Sequence, residues 1–187
     1  PYTAGTDVDY GPLVTGAAKE KVLGLVESGV EQGAELVVDG RNFKLQGYED
    51  GFFVGPHLFD KVTKEMDIYK TEIFGPVLST VRTQSYEEAL AHAMDHEYGN
   101  GTAIFTRDGD TARDFANRIN IGMVGINVPI PVPLAYHTFG GWKKSAFGDL
   151  NQHGPDAFKF YTRTKTVTAR WPSGIKEGGE FSIPVME

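Results

Sequence analysis

Glu72-Ile73-Phe74-Gly75-Pro76-Val77 sets a carboxylate two residues from an aromatic ring, just ahead of a β-rich run from Leu78 to Val81. A carboxylate can accept hydrogen bonds from both hydroxyls of a ribose, and a phenylalanine beside it can pack against a second flat ring. The same two residues also read as a solvated loop carboxylate and a core aromatic. Composition does not choose between these readings.

Other groups offer less chemistry. His92 and His96 lie four apart on an expected helix, a spacing that can bring two imidazoles to one metal. Ala93 stands where a zinc protease carries glutamate, and no third ligand is in view, so surface or packing roles fit better. Asp108 and Asp110 flank Gly109, yet the other ligands of a calcium loop are missing; an Asp-capped turn from strand to helix accounts for both. Phe139-Gly140-Gly141-Trp142-Lys143-Lys144-Ser145 ends like a phosphate loop without its glycine spacing. Asn100-Gly101-Thr102 fits a glycosylation sequon but reads first as a turn. Ser79, Ser85 and Ser145 have no histidine–carboxylate arrangement to activate them, and the chain has no cysteine. The expectation is therefore no catalytic nucleophile, no disulfide and no metal site in this chain.

The elements that position these residues follow from periodicity and caps. Thr15 is placed to cap a helix from about Ala17 to Gln32, with Val22, Leu25, Val26 and Val30 on its buried face and Gly33 as its stop. Glu35 to Val38 reads as a strand before the Asp39-Gly40 turn, and Phe52-Phe53-Val54 as more β structure interrupted by Pro56. Val77 to Arg82 is an expected strand, followed by a Ser85-capped helix from Tyr86 to Asp95. A strand at Thr102–Thr106, a helix at Thr111–Asn120 ended by Gly122, and a strand at Val124–Asn127 complete the middle. Strands alternating with helices predict an α/β fold with a mostly parallel sheet and flanking helices. Asn127 falls at a strand's carboxyl end, where such sheets gather ligands, and opens a proline-rich loop to Thr138. A short helix near Pro155–Phe160 and a β-branched strand from Thr162 to Ala169 follow; that strand could pair locally or cross to a neighbouring subunit. Pro172 to Gly179 reads as loop.

At 187 residues, with 40% hydrophobic and 12% aromatic content, the chain can bury a sizeable core. A formal net charge of −7 disfavours a nucleic-acid surface, and nothing approaches the ~20 consecutive apolar residues of a membrane span. Pro1-Tyr2-Thr3-Ala4-Gly5 lacks the basic start and apolar run of a signal peptide; the missing initiator methionine suggests processing or an artificial boundary. A cytoplasmic protein is expected.

Glu72 to Val77, Phe139-Gly140-Gly141-Trp142-Lys143 and Tyr161 to Val167 together resemble the C-terminal half of an aldehyde dehydrogenase. Gly11-Pro12-Leu13, Tyr98-Gly99-Asn100 and Ala103-Ile104-Phe105-Thr106 are similar to further blocks of that family, so the resemblance covers nearly the whole chain. It implies that Glu72 binds the nicotinamide ribose of NAD, that Phe74 positions the nicotinamide, and that the loop ending at Phe139, with Asn127 at its start, lines the aldehyde pocket. Ser145-Ala146-Phe147-Gly148-Asp149-Leu150-Asn151 departs from the usual Ser-Gly-x-Gly-Arg-Glu run. With the proline-rich loop and Phe158 to Thr162, it is similar to the CoA-acylating methylmalonate-semialdehyde group. There a thioester passes to CoA instead of water, and the methylmalonyl substrate also loses carbon dioxide.

The family's nucleophilic cysteine lies upstream of the segment matched by Gly11-Pro12-Leu13. The resemblance thus implies a partial catalytic (thiolase-side) domain at residues 1–158, then an oligomerisation strand and tail at 159–187. Its partners would be the N-terminal remainder of the enzyme, a small aldehyde, and further copies of itself. Alone it should be inactive. A non-acylating aldehyde dehydrogenase fragment, and a stand-alone interaction module or pseudoenzyme, remain as alternatives.

Overall fold

The structure is a computed structural model, described here for residues 9–169 and 171. The chain divides into two compact units, residues 1–89 and 90–187. Helices and small sheets alternate along both: α1 Gly16–Glu31, β1 Glu35–Val38, β2 His57–Asp60, α2 Asp67–Lys70, β3 Val77–Ser79 and α3 Tyr86–Asp95, within which the division falls. Then come β4 Tyr98–Gly99, β5 Gly101–Ile104, α4 Gly109–Arg118, β6 Met123–Ile126, β7 Trp142–Lys143, a 3-10 turn Gly154–Asp156 and α5 Ala157–Tyr161.

In the first unit, Thr15 caps α1 as expected, its hydroxyl accepting the Ala18 N–H at 3.1 Å. The inner face is Val22, Val26 and Gly29, not Val30, which is 39% exposed. The steps of four and three keep one face, and the absence of a side chain at Gly29 lets Phe59 and Ile68 come close. Val26 and Phe59, both fully buried, centre a core completed by Ala34, Val62, Met66 and Ile68. Polar bonds fix α1 to α2: Ser28 and Gln32 both donate to Asp67 Oδ2, at 3.0 and 2.8 Å, and Asp67 N–H returns a bond to Gln32 Oε1.

The sheet of this unit runs β1-β2-β3, antiparallel between β1 and β2 and parallel between β2 and β3. Phe52-Phe53-Val54 forms no strand. Its carbonyls are taken from outside any ladder: Leu13 N–H donates to Phe52 O, and the Tyr10 hydroxyl to Val54 O. The strand starts at His57 instead, once Pro56, which has no N–H to give a ladder, has passed.

In the second unit, Leu90, Ala112, Phe115, Ile119 and Ile121 are buried. Asp108 caps α4, accepting the Asp110 and Thr111 N–H groups at 3.3 and 3.0 Å; the Thr111 hydroxyl, which also donates to it, and then these N–H bonds hold its carboxyl below its ordinary range. The helix ends at Arg118, before the expected Asn120, because Ile119 is already extended. β5 pairs in parallel with β6, and β4 antiparallel with β7. Gly140 and Gly141, at φ 61° and 113°, turn the chain so closely against Gly122 that a Cβ there would fall 2.1 Å from Gly141 N.

Among the described residues the sheets are thus three small ones, with as many antiparallel pairings as parallel ones, rather than the mostly parallel sheet expected. Residues 162–169 form no strand among the described residues, and the expected loop at Pro172–Gly179 lies outside them. No described helix is long and apolar enough to cross a membrane.

Candidate functional site

The first unit carries Glu72 and Phe74 on the loop from α2 into β3. Two contacts with α1 pin this loop. Lys21 Nζ donates to the Glu72 carbonyl at 2.8 Å, and Gly75 lies so close to the buried Val22 that a Cβ would fall 2.7 Å from Cγ2. Downstream, the His57 N–H donates to Pro76 O at 2.9 Å and starts the β2–β3 ladder.

What this anchored loop presents is unusual. Phe74 has φ 60°, a left-handed conformation that a bulky residue adopts only when its surroundings impose it. Its ring is 76% exposed, so core burial does not account for it. The Glu72 carboxylate is exposed and makes no hydrogen bond or ion pair with the described residues. A free carboxylate and a free ring on a rigid loop fit a ligand with paired hydroxyls and a flat ring.

Beside the loop, an open depression of about 430 Å³ is lined by Val38, Pro56, His57, Leu58 and the Gly75–Leu78 run. His57 is 3% exposed, and neither ring nitrogen has a hydrogen-bond partner among the described residues. Burial pushes its proton affinity down. Sequence reading passes over this residue; the signal for it was the i, i+2 alternation with Phe59 after Pro56, which puts both on the inner face.

In the second unit, Asn127 also sits at φ 57°. Its side chain is spent on the neighbouring strand end: Oδ1 accepts Thr106 N–H at 2.9 Å, and Nδ2 donates to Thr106 O at 3.1 Å. Its own N–H bonds Ile104 O at 2.8 Å. The geometry makes Asn127 a clamp at the ends of β5 and β6. Asn127→Ala should cost about 2 kcal/mol of unfolding free energy, through two lost hydrogen bonds and a Cβ held in the left-handed region without compensation. Asn127→Gly should cost less, since it relieves the backbone. Urea denaturation of the pair measures this, and equal losses would show that the backbone conformation carries no strain.

Phe139 is half-buried and stacks on His153, ring centres 4.3 Å apart and planes at 29°. Tyr136 and His137 pack nearby in sequence, 4.6 Å apart. His96, weighed as a metal ligand, uses Nδ1 to accept the Tyr98 N–H at 3.2 Å. No group of three or more metal-ligating side chains occurs among the described residues.

Residues 3–167 match the pattern of the aldehyde dehydrogenase family. The chain is 61% identical, over 97% of its length, to a malonate-semialdehyde dehydrogenase of Pseudomonas aeruginosa, of which it covers 37%. It is 48% identical, over 95% of its length, to a mitochondrial acylating methylmalonate-semialdehyde/malonate-semialdehyde dehydrogenase of Bos taurus, covering 33% of that protein. A solved structure from Sinorhizobium meliloti, provisionally assigned as a methylmalonate-semialdehyde dehydrogenase and complexed with NAD, superposes with a TM-score of 0.87 at 71% identity. That match covers 95% of this chain and 36% of the other. The chain therefore spans little more than a third of the length of the proteins it matches. On the strength of a family pattern running through both units, the chain belongs to the aldehyde dehydrogenase family.

Proposed function

We propose that this chain is the C-terminal part of an NAD-dependent, CoA-acylating methylmalonate- or malonate-semialdehyde dehydrogenase. The observation that carries the reading is Phe74: an exposed ring on a left-handed, doubly pinned backbone, two residues from an unpaired carboxylate. In the intact enzyme Glu72 accepts hydrogen bonds from the ribose hydroxyls of NAD, and Phe74 supports the nicotinamide ring. Bound NAD supplies the hydride acceptor. Phe139, braced by His153, forms one wall of the aldehyde pocket, and Asn127 holds the strand ends from which the pocket loop departs.

With no cysteine among its 187 residues, the chain supplies no thiolate; the nucleophile and most of the dinucleotide-binding domain belong to the upstream remainder. There the small sheets join a mostly parallel sheet, the segment from Thr162 pairs with another subunit, and the enzyme works in the cytoplasm on a small semialdehyde, with CoA as acyl acceptor.

The test is NADH formation from methylmalonate semialdehyde, with and without CoA, by this chain and by a chain extended upstream to the length of its relatives. Turnover is expected only in the extended, CoA-supplied enzyme. Turnover by the short chain would sink the missing-nucleophile argument. Full turnover without CoA would make the parent a hydrolytic enzyme, and silence in both would favour an interaction module.

A further inference from the structure

His57 is a buried group that neither the cofactor nor the aldehyde reading uses, and its surroundings are unusual. Its imidazole is buried on the inner face of the sheet, and both ring nitrogens lack partners among the described residues. It opens β2 directly opposite Val77, and its N–H holds Pro76 O at 2.9 Å. Pro76 is only two residues beyond Phe74. The imidazole and the Gly75–Leu78 run line the same depression.

Among the described residues a charged imidazole finds no uncommitted counter-ion. Asp39 is the carboxylate that acts on it, and both Asp39 oxygens are already engaged by Arg41, at 2.9 Å to Nε and 2.6 Å to Nη2. That fork holds the Asp39 carboxyl down at about 2, so it remains committed to Arg41 across the physiological range. Arg41, which also pairs with Glu27, repels a second positive charge. The carbonyls of Gly55 and Pro76 lie near enough to favour the proton without reaching hydrogen-bond geometry to either ring nitrogen, and burial outweighs them. An unpaired charge at this depth is relieved by admitting water, and the Gly75–Leu78 run lines the depression through which water would enter.

We propose that His57 is a positioning residue for the NAD site: uncharged, it seats the Gly75–Val77 backbone that carries Glu72 and Phe74, and protonated, it unseats them. The inference rests on the assignment of Glu72 and Phe74 to NAD. Its sign is fixed by linkage. The folded group binds its proton less readily than an ordinary histidine, so the stability it contributes is fully present above the ordinary value of 6.5 and is lost as pH falls through the lower folded value; NAD affinity falls as the folded, NAD-free enzyme takes up that same proton. By reciprocity, NAD binding must expel the proton.

The experiment uses the upstream-extended enzyme between pH 5.5 and 8. NAD titration calorimetry in two buffers of different ionisation enthalpy should show proton release on the acid side. The NAD dissociation constant should rise as pH falls on that side, while kcat at saturating NAD changes less. Both trends should vanish in His57→Phe, which keeps a ring, and in His57→Thr, which leaves space. Hydrogen exchange of the wild-type 72–79 peptide, corrected for intrinsic rates, should show protection lost at pH 5.5 relative to 7.5. Absence of proton release, its persistence in either variant, or unchanged protection overturns the proposal. Phe74→Ala at pH 8 separates the two levels. If it leaves NAD affinity intact, the NAD assignment fails. If it weakens NAD while wild-type affinity is flat with pH, only the role of His57 fails.

Discussion

Glu72→Gln in the upstream-extended enzyme should lower kcat/KM for NAD by about 10- to 100-fold, the range set by losing charge-assisted hydrogen bonds to two hydroxyls. Folding should be unaffected. The Glu72 side chain is exposed and makes no bond with the described residues, while the loop is held through the Glu72 carbonyl and Gly75, which the substitution leaves alone. This separation makes the test clean: a fall in NAD kinetics at constant melting temperature speaks for ligand contact, because there is no structural bond to break. Phe74→Ala should act in the same direction but less strongly, since ring packing contributes about 1 kcal/mol beyond area. Steady-state NAD kinetics with a denaturation curve for each variant decide it. Unaltered kinetics for Glu72→Gln would remove that residue from the site.

The parts of this architecture visible in the sequence are those with local causes. α1, α3 and α4 carry their own start signals in Thr15, Ser85 and Asp108, and each cap is made as expected. The sheets were not legible, because runs as short as Val77–Ser79 do not encode their partners; β1 pairs antiparallel to β2 through a register shift at Leu36/Val38 that no alternation announces. Val30 was misplaced because hydrophobicity alone ranks it above Gly29, whereas the close approach of Phe59 and Ile68 needs the glycine. At the site, residue types pointed to Glu72 and Phe74, but the left-handed backbone of Phe74 is imposed by tertiary contacts and leaves no mark in composition. Asn127 shows the converse. Its position at a strand end was readable, yet its amide proves to be occupied by Thr106.

On the proposed assembly role of the segment from Thr162, deleting residues 162–169 from the extended enzyme should lower its native mass while leaving both compact units folded. This segment, Thr-Arg-Thr-Lys-Thr-Val-Thr-Ala, is rich in β-branched residues yet pairs with no strand among the described residues, and Val167 is 75% exposed. The residues before it are similarly uncovered: Phe158 is 82% and Tyr161 71% exposed on α5, a helix too short to be stable on its own apolar merits. Backbone outside any ladder, preceded by exposed aromatic rings, is a surface that another chain's sheet edge can complete, gaining ladder hydrogen bonds and apolar burial together. Because the segment contributes nothing to either buried core, its loss should not lower the melting temperature of the dissociated subunit. Multi-angle light scattering of the deletion beside the parent gives the answer. A lower mass with retained circular dichroism supports assembly through this strand, and an unchanged mass would assign the interface elsewhere. A milder substitution sharpens the result: Val167→Pro removes one N–H and fixes φ without shortening the chain, so partial dissociation from that change alone would identify backbone pairing, rather than side-chain burial, as what joins the subunits.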